Sequence, residues 1–217
     1  MNRTRQRKEQ QTPVMKSLIL EKAGLLFWLK GYNNTSMKDI ASACDCKPAN
    51  FYNYFSGKED ILYEVVKGIT EKSVSNVMHL ADDEETNPIE QLRVFIKNHF
   101  YLHFNLEQTS VMLSDTCMRH LSQEHREEII RMRDIYENTL IRIIRRGKEA
   151  GLFASYIDEK VISYNIPSMI TRSSIWYSPK GRLSLNELSE IMFDFALNGV
   201  RGGDRAYDLD NSSSAGE

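Results

Sequence analysis

The sequence predicts an all-α fold of about nine helices, divided into an N-terminal three-helix unit and a larger C-terminal helical domain. Apolar residues recur at three- and four-residue spacing along almost the whole chain, as they do in amphipathic helices. Strict alternation of apolar and polar residues, which would indicate strands, does not occur. Prolines, glycines and capping residues divide the chain at the places where such helices would begin and end.

The composition is that of a globular protein with a substantial core. Of 217 residues, 41% are hydrophobic and 27% are charged. The chain has no run of about 18 apolar residues, and its polar, basic start does not resemble a signal peptide. The cysteines Cys44, Cys46 and Cys117 match neither a disulfide framework nor a zinc-ligand spacing. These features predict a cytoplasmic protein with reduced thiols, no metal and no membrane partner.

Positive charge is concentrated at the N-terminal end. The net charge of the chain is −2, but residues 1–60 carry 10 Lys+Arg against 6 Asp+Glu, and residues 61–217 carry 18 against 24. Because attraction to nucleic acid depends on where the charge lies, the basic end is the candidate DNA-facing end. A chance asymmetry of solvated faces is the alternative interpretation.

Start and stop residues delimit four helices in the first third of the chain. A capping side chain satisfies an amide that the first helical turn leaves without a partner, and a proline removes such an amide. The start signals are Thr12-Pro13, Ser36, Lys47-Pro48 and a capping box from Ser56 to Glu59. The first helix is predicted to end at Gly31 and the fourth to run towards Leu80.

A second helical block is predicted to follow an acidic loop at residues 82–85. Asn87-Pro88 opens it, with Glu90 at the third helical position. The spacing of apolar residues predicts helices over residues 88–106, 109–120, 122–150, 158–177 and 184–199. Pro167 interrupts the fourth of these, and the last begins with a second capping box.

Residues 35–62 have the form of two short helices joined by a tight turn at residues 44–46. Phe51 and Phe55 are four residues apart, so both should point inward against the first helix. The outward positions of the second helix are small or hydrogen-bonding, and a helix with such positions fits a DNA major groove. These outward positions are Ala49, Asn50 and Asn53.

The stretch AGLLFWLKGYNNTSMKDIASACDCKPANFYNYFSGKEDIL resembles the DNA-binding domain of the TetR (tetracycline repressor) family. The residues that carry the match are Gly31-Tyr32, Thr35-Ser36, Asp39-Ile40-Ala41, Phe51-Tyr52-x-Tyr54-Phe55 and Lys58-Glu59. The departure is in the turn, where the family often has Gly-Val-Ser and this chain has Asp45-Cys46-Lys47. An aspartate tolerates the left-handed conformation that such a turn requires.

The resemblance implies a set of DNA contacts, which we state as expectations. Phosphate contacts are implied for Thr35 and Ser36. Base contacts are implied for Lys47, Pro48, Ala49, Asn50 and Asn53. Contacts with the DNA backbone are implied for Tyr52, Tyr54 and Lys58. The basic N-terminal residues fit either an arm that reaches the minor groove or an unstructured solubilising terminus.

The resemblance also implies the division of the chain and a homodimer that binds a palindromic double-stranded DNA operator. The predicted parts are a basic flexible arm (1–12), the helix-turn-helix domain (13–73), a ligand-binding and dimerisation domain (74–201) and a disordered tail (202–217). Wide apolar stripes on the last two helices favour pairing with a second copy. The stripes comprise Ile162, Ile166, Met169, Ile170, Leu185, Leu188, Ile191, Met192, Phe195 and Leu197.

An acyl-coenzyme A is the effector that the C-terminal sequence favours. Arg172 and Trp176 are one helical turn apart, beside a loop with two further cations. The stretch WYSPKGRLS is similar to that of TetR-family regulators of fatty-acid, sterol and aromatic-acid breakdown, which respond to acyl-coenzyme A thioesters. The pair would hold the nucleotide end of such a ligand. The candidate lining of an acyl tunnel is Phe100, Phe104, Met112, Leu113, Met118 and Ile135.

Other interpretations remain open at this point. Arg172 and Trp176 could form a simple surface contact, and the effector could be a plain hydrophobic or aromatic compound. His99 and His103 could bind a metal, although their aromatic neighbours favour packed side chains. A helical enzyme or a protein-binding adaptor are alternatives of other classes, but the sequence has no phosphate-binding glycine loop and no nucleophile elbow. We therefore expect a regulator without a cofactor, not an enzyme.

Overall fold

The structure, a computed structural model, describes residues 3–105 and 117–202, with side chains over 13–104 and 117–202. This part of the chain contains α helices and short 3₁₀ helices and no strand, which confirms the predicted all-α class. None of these helices is both long enough and apolar enough to cross a membrane. The elements are α1 (Arg3–Lys30), α2 (Met37–Ala43), a 3₁₀ helix (Pro48–Asn53), α3 (Lys58–Val77), α4 (His79–Asp82), α5 (Pro88–Asn105), a second 3₁₀ helix (Met118–His120), α6 (Gln123–Glu149), α7 (Glu159–Ser173) and α8 (Leu185–Arg201).

Two of the predicted caps form as capping boxes. The Ser36 hydroxyl accepts from the Asp39 amide at 3.1 Å, and the Ser36 amide donates to the Asp39 carboxylate at 2.8 Å. The Ser36 hydroxyl also donates to the Asp39 carboxylate at 2.5 Å, and this bond, followed by the one from the Ser36 amide, lowers the pKa of Asp39 to about 2. Ser184 and Glu187 form the same arrangement at the start of α8. Each box satisfies backbone amides that the first helical turn leaves without a partner.

The capping box predicted from Ser56 to Glu59 is not formed. The Ser56 amide and hydroxyl instead donate to the Asp60 carboxylate, at 2.8 and 3.2 Å. Glu59 is drawn away because it bonds to residues at the start of α6. The capping-box pattern predicted the start of α3 to within two residues, but the carboxylate that bonds to Ser56 is that of Asp60 and not that of Glu59.

Three further boundaries differ from the prediction. The backbone is helical from Arg3, because Arg, Gln, Lys and Glu favour helix strongly enough to offset the hydrogen bond that Pro13 removes. Asp82, expected in a loop, is the last residue of α4. α7 runs through Pro167 without interruption and ends at Ser173. Of the helix predicted over 109–120, residues 109–116 lie outside the described part of the chain.

The first of two hydrophobic cores joins α1, α2, the Pro48–Asn53 helix and the first half of α3. Residues from the region before and at the start of α6 also pack into it, so the N-terminal unit is closed by the C-terminal block. The buried residues of this core include Ile19, Ala23, Phe27, Ile40, Ala41, Phe51, Phe55, Ile61, Leu62, Val66, Cys117, Leu121 and Ile129.

The second core lies among α3, α5, α6, α7 and α8. Aromatic and β-branched side chains from all five helices meet there, with the end of α3 contributing Val77. Arg146 of α6 fixes the loop before α5, since its guanidinium donates to the Asp83 and Glu84 carbonyls at 2.7 and 2.6 Å. The same guanidinium donates to the buried Gln91 side chain at 2.6 Å. The buried core residues include Leu92, Phe95, Ile96, Phe100, Leu140, Ile143, Ile144, Phe153, Ile166, Ile170, Leu188, Phe193 and Val200.

The turn after α2 depends on Asp45, whose φ of 49° lies in the left-handed region. The amide of the following residue, Cys46, donates to the Ala41 carbonyl at 3.0 Å and closes the helix end. We expect Asp45→Gly to stabilise the protein by about 0.5–1 kcal/mol, because glycine adopts this conformation without strain. Asp45→Val should instead destabilise it. Urea midpoints of the two variants, which should move in opposite directions from the parent, test this.

Candidate functional sites

The Pro48–Asn53 helix, which we call the recognition helix, presents one exposed face. Phe51 and, just beyond the helix, Phe55 are buried in the first core, so the residues between and before them face outward. The recognition helix is a 3₁₀ helix that begins at Lys47, the N-cap residue, with Pro48 at its start as predicted. The exposed residues are Lys47, Pro48, Ala49, Asn50, Tyr52 and Asn53, all of them among those expected to face DNA.

Thr35 is not positioned for the phosphate contact that we expected of it. Its side chain is 1% exposed, and its hydroxyl lies 2.9 Å from the Gly31 carbonyl and 3.2 Å from that of Leu26. Its amide donates to the Tyr32 carbonyl. Thr35 therefore fixes the end of α1, and its exposed neighbour Ser36 donates to the Asp39 carboxylate through both its amide and its hydroxyl.

Lys58 also differs from its expected role. Its Nζ donates to the Tyr32 carbonyl at 2.9 Å and to the Thr35 carbonyl at 2.8 Å, and it lies 4.3 Å from the centre of the Tyr32 ring. The ammonium group thus joins the end of α1 to the start of α3. Tyr54 is half-buried against the first core, so of the two tyrosines Tyr52 is the exposed one.

Replacing Lys58 with methionine is expected to destabilise the protein by about 2 kcal/mol, because two backbone carbonyls lose a charged hydrogen-bond donor. Lys47→Met is the matched control, since Lys47 is exposed. It should leave the urea midpoint unchanged but lower the slope of log affinity for DNA against log salt by about 1. Equal stability of the two variants would show that Lys58 does not hold the fold.

A polar seam joins the start of α3 to the start of α6. Glu59 accepts from the Ser122 amide at 2.8 Å and lies 3.0 Å from Nδ1 of His125. The His125 ring stacks on Tyr63 with centroids 3.7 Å apart. One helical turn further, Lys67 donates to Glu128 at 2.8 Å, and this bond raises the pKa of Lys67. Sequence analysis missed the seam because its partners are about 60 residues apart and form no local pattern.

Aromatic side chains of α5 and of the segment just after α7 form an aromatic cluster. Phe100 and Phe104 stack with centroids 5.9 Å apart, and Phe104 meets Tyr177 edge-on at 5.0 Å. His103 lies buried against Phe104 at 5.1 Å. Two of the predicted tunnel residues, Phe100 and Phe104, are therefore in contact with each other. Phe104 also contacts Tyr177, the residue that follows Trp176.

Other predicted tunnel residues are elsewhere. Ile135 is 50% exposed on α6, because the α6 residues that face the second core are Leu140, Ile143 and Ile144. Met118 packs against the first core. Both expectations are corrected, since neither side chain is part of the aromatic cluster. Met112 and Leu113 lie outside the described residues.

The surface next to Tyr177 of the aromatic cluster carries exposed cations. Arg172 and Trp176 are exposed, and the loop that follows contributes exposed Lys180 and Arg182. The backbone from Ser173 to Tyr177 continues as tight turns, with the Trp176 and Tyr177 amides donating to the Ser173 carbonyl at 3.2 and 2.8 Å. An open cavity of about 380 Å³ lies between α5 and α8, lined by Lys97, Asn98, Phe100, Tyr101, Leu185, Asn186 and Ser189.

Cys44 and His103 are buried, and His99 is half-buried. Within residues 13–104 and 117–202, no group of three His, Cys, Asp or Glu side chains could hold a metal. Burial lowers the pKa of His99 to about 3, and burial raises the pKa of Cys44 to about 11. Near neutral pH the Cys44 side chain is therefore a thiol and not the thiolate that oxidation chemistry requires.

The outer faces of α7 and α8 carry large exposed apolar side chains. The prediction of wide stripes is refined here, because Ile166, Ile170 and Leu188 point into the second core. The residues left exposed on these two helices are Val161, Tyr164, Ile191 and Phe195. An exposed set of this kind is typical of a protein interface.

A buried three-helix unit that displays one short helix after a tight turn is the arrangement of helix-turn-helix DNA-binding proteins. Residues 19–65 match the family described as "Bacterial regulatory proteins, tetR family". Residues 85–200 match "Tetracyclin repressor-like, C-terminal domain". The chain belongs to the TetR family of DNA-binding transcriptional regulators, as its sequence predicts.

Individual relatives cover most of the chain. The HTH-type transcriptional repressor KstR2 of Mycobacterium tuberculosis is 23% identical over 183 residues, which are 84% of this chain and 90% of KstR2. The structure of PfmR, a TetR family regulator from Thermus thermophilus, has a TM-score of 0.74 and 30% identity, and covers 86% of this chain and 99% of PfmR. AibR in complex with isovaleryl coenzyme A and operator DNA has a TM-score of 0.74 and 25% identity, covering 83% of this chain and 97% of AibR.

Proposed function

We propose that this regulator represses transcription in the cytoplasm by binding an inverted-repeat operator as a homodimer, and that an acyl-coenzyme A releases it. The main support is the proximity of the exposed Arg172 and Trp176 to the aromatic cluster, which includes Tyr177. A nucleotide thioester has the same two parts, an anionic aromatic end and an apolar tail. That AibR was crystallised with an acyl-coenzyme A and operator DNA adds support.

The DNA contacts of the proposal come from the recognition helix. Asn50 and Asn53 have side chains that can donate to and accept from base edges in the major groove, whereas Lys47 supplies charge to a phosphate. A phosphate contact at Ser36, at the exposed N-terminus of α2, would require its amide and hydroxyl to exchange the Asp39 carboxylate for the phosphate. In a two-fold dimer the two recognition helices would enter successive major grooves, roughly 34–36 Å apart.

The homodimer of the proposal uses the exposed faces of α7 and α8. Val161 and Tyr164 on α7 and Ile191 and Phe195 on α8 would be removed from water by the same four residues of a second copy. Burial of apolar surface is the dominant favourable term in such association. α7 also leads into the Arg172–Trp176 surface, so ligand binding and dimer geometry share one helix.

Release of the operator requires that the ligand distinguish between two conformations of the dimer. A ligand shifts the protein from its operator only if it binds more tightly to a conformation in which the two recognition helices no longer match the grooves. In this proposal the thioester favours that conformation through contacts with α5 and the end of α7. The polar seam then transmits the change to α3 and the recognition helix.

Replacing Arg172 with methionine and Trp176 with leucine is expected to abolish release of the operator by acyl-coenzyme A. Both side chains are exposed, so operator affinity without ligand should stay close to that of the parent. Fluorescence anisotropy of a labelled operator, titrated with isovaleryl-, octanoyl- and palmitoyl-coenzyme A, measures both properties. Arg201→Met, at the end of α8, is the matched control and should respond to ligand as the parent does.

The second candidate effector is a plain hydrophobic or aromatic compound, which the aromatic cluster alone would favour. Calorimetry of the parent with free acids, coenzyme A and acyl thioesters separates the two. Thioesters that bind no better than the corresponding free acids would reject the coenzyme A proposal.

A further inference from the structure

Two histidines, His103 buried and His99 half-buried, form a polar cluster inside the C-terminal domain. His99 and His103 lie one turn apart on α5, with ring centroids 6.2 Å apart. Nδ1 of His99 is hydrogen-bonded to the Tyr136 hydroxyl of α6. The other three ring nitrogens, Nε2 of His99 and both nitrogens of His103, are buried without a hydrogen-bond partner in the described part of the chain. The sequence interpretation of these histidines as packed core does not explain this.

The surroundings of the cluster are aromatic. The Tyr136 ring packs on Phe95 at 5.0 Å, and His103, 1% exposed, contacts the edge of Phe104 at 5.1 Å. Native proteins satisfy nearly all of their buried polar groups, and an exception is expected where a ligand supplies the missing partner. His103 therefore adjoins the aromatic cluster, since Phe104 in turn meets Tyr177, the residue after Trp176.

Both rings are neutral. Burial, followed by the nearby His103, lowers the pKa of His99, and burial lowers the pKa of His103. The Tyr136 hydroxyl is itself protonated, since burial raises its pKa. If Tyr136 donates to Nδ1 of His99, Nε2 carries the proton and is an unpaired donor. A neutral His103 offers one further donor and one acceptor.

α7 closes the other side of the cluster. The backbone carbonyl of Thr171 lies close enough to raise the pKa of His103 partly back, but does not reach hydrogen-bond geometry. Thr171 directly precedes Arg172. The cluster thus lies inside the domain at the same level of α7 as the cationic surface, where the acyl end of a bound thioester would enter.

We propose that His99 and His103 bind the uncharged carbonyl oxygen of the effector, and that this contact makes the site selective for a thioester over a free acid. The proposal rests on the proposed acyl-coenzyme A effector. An oxygen without charge accepts hydrogen bonds from two neutral imidazoles at small desolvation cost. A carboxylate in the same place would be a buried anion among aromatic rings and neutral histidines, which is strongly disfavoured.

The test compares ligands that differ only in the carbonyl. Octanoyl-coenzyme A and S-octyl-coenzyme A, the thioether with a methylene in place of the carbonyl, are titrated into the parent and into His103→Phe by calorimetry, with the isovaleryl and palmitoyl pairs beside them. We expect the parent to prefer the thioester about 10-fold and the variant to show no preference, because one ring replaces another of similar size without the nitrogens.

Two controls keep the outcomes separate. His79→Phe, at an exposed position, should retain the preference of the parent. His99→Phe is a second test variant, to be used if His103→Phe does not fold, and it should also lose the preference. An unchanged preference in both cluster variants, or an equal affinity of the parent for thioester and thioether, would overturn the inference while leaving the acyl-coenzyme A proposal intact.

Two ligands without coenzyme A test the role of the histidines if the acyl-coenzyme A proposal itself fails. If no thioester binds the parent, the coenzyme A proposal fails, and 4-phenyl-2-butanone is compared with butylbenzene by thermal shift. Preference for the ketone that disappears in His103→Phe would still support carbonyl recognition by the histidines. Absence of that preference would overturn it.

Discussion

Replacing Gly147 with alanine is expected to destabilise the protein by about 3 kcal/mol or more. Gly147 lies in α6 directly under the buried Phe153 ring, and a Cβ at this position would be 1.9 Å from Phe153 Cδ2. The backbone of Phe153 is held next to Gly147, because the Leu152 and Phe153 amides both donate to the Gly147 carbonyl, at 2.8 and 3.0 Å. The methyl group must therefore displace the chain between α6 and α7. Urea unfolding followed by circular dichroism measures the loss.

Gly68 of α3 is the matched control for this prediction. It is also inside a helix, but nothing lies within 4 Å of a Cβ built on it. Gly68→Ala should stabilise the protein by up to about 1 kcal/mol through helix propensity. In the double variant Gly147→Ala, Phe153→Ala, the two losses should not add, since removal of the ring removes the collision. Additive losses would mean that the collision is not the cause.

Replacing Phe195 with glutamate is expected to produce monomers and to weaken operator binding about 10²- to 10⁴-fold. The Phe195 side chain is 69% exposed on α8, so a charge there is tolerated by the isolated chain but not by a two-fold interface that buries it against a second copy. Loss of the dimer uncouples the two half-sites, and this accounts for the size of the effect. Sedimentation and operator titration at the same protein concentration test both consequences.

Ile135→Glu is the control, because Ile135 is half-exposed on α6, outside the proposed interface. It should sediment and bind as the parent does. Leu188→Glu has a different expected result: Leu188 is buried in the second core, so this variant should unfold and not merely dissociate. A dimeric Phe195→Glu variant would reject α8 as the interface.

The parts of the fold that depend on neighbours in sequence were predictable. Ser36 and Ser184 cap their helices through carboxylates three residues later, and Asp45 takes the left-handed position that a comparison with the family turn required of it. The exposed face of the recognition helix followed from the four-residue spacing of Phe51 and Phe55. In each case the physical cause acts within one helical turn.

The roles that depend on distant residues were not predictable. Lys58 has the sequence position of a DNA-binding lysine, but its ammonium is held by carbonyls 23 and 26 residues earlier in the chain. Ile135 and Met118 have the hydrophobicity of tunnel residues, but the direction in which each helix faces is set by tertiary packing. Hydrophobic periodicity says that a face is buried without saying which neighbour buries it.

α6 belongs to both hydrophobic cores, since Ile129 packs in the first and Leu140 in the second. Its 27 residues form a rod roughly 40 Å long, and α3 runs beside it into the same two cores. Neither core can lose its packing without exposing apolar surface of the other. The N-terminal helix-turn-helix unit and the C-terminal domain are therefore expected to unfold as one cooperative unit. A ligand that stabilises the C-terminal domain is therefore expected to stabilise the N-terminal unit as well. A shortened chain that keeps only the N-terminal unit would lack the residues Cys117, Leu121 and Ile129 of its own core.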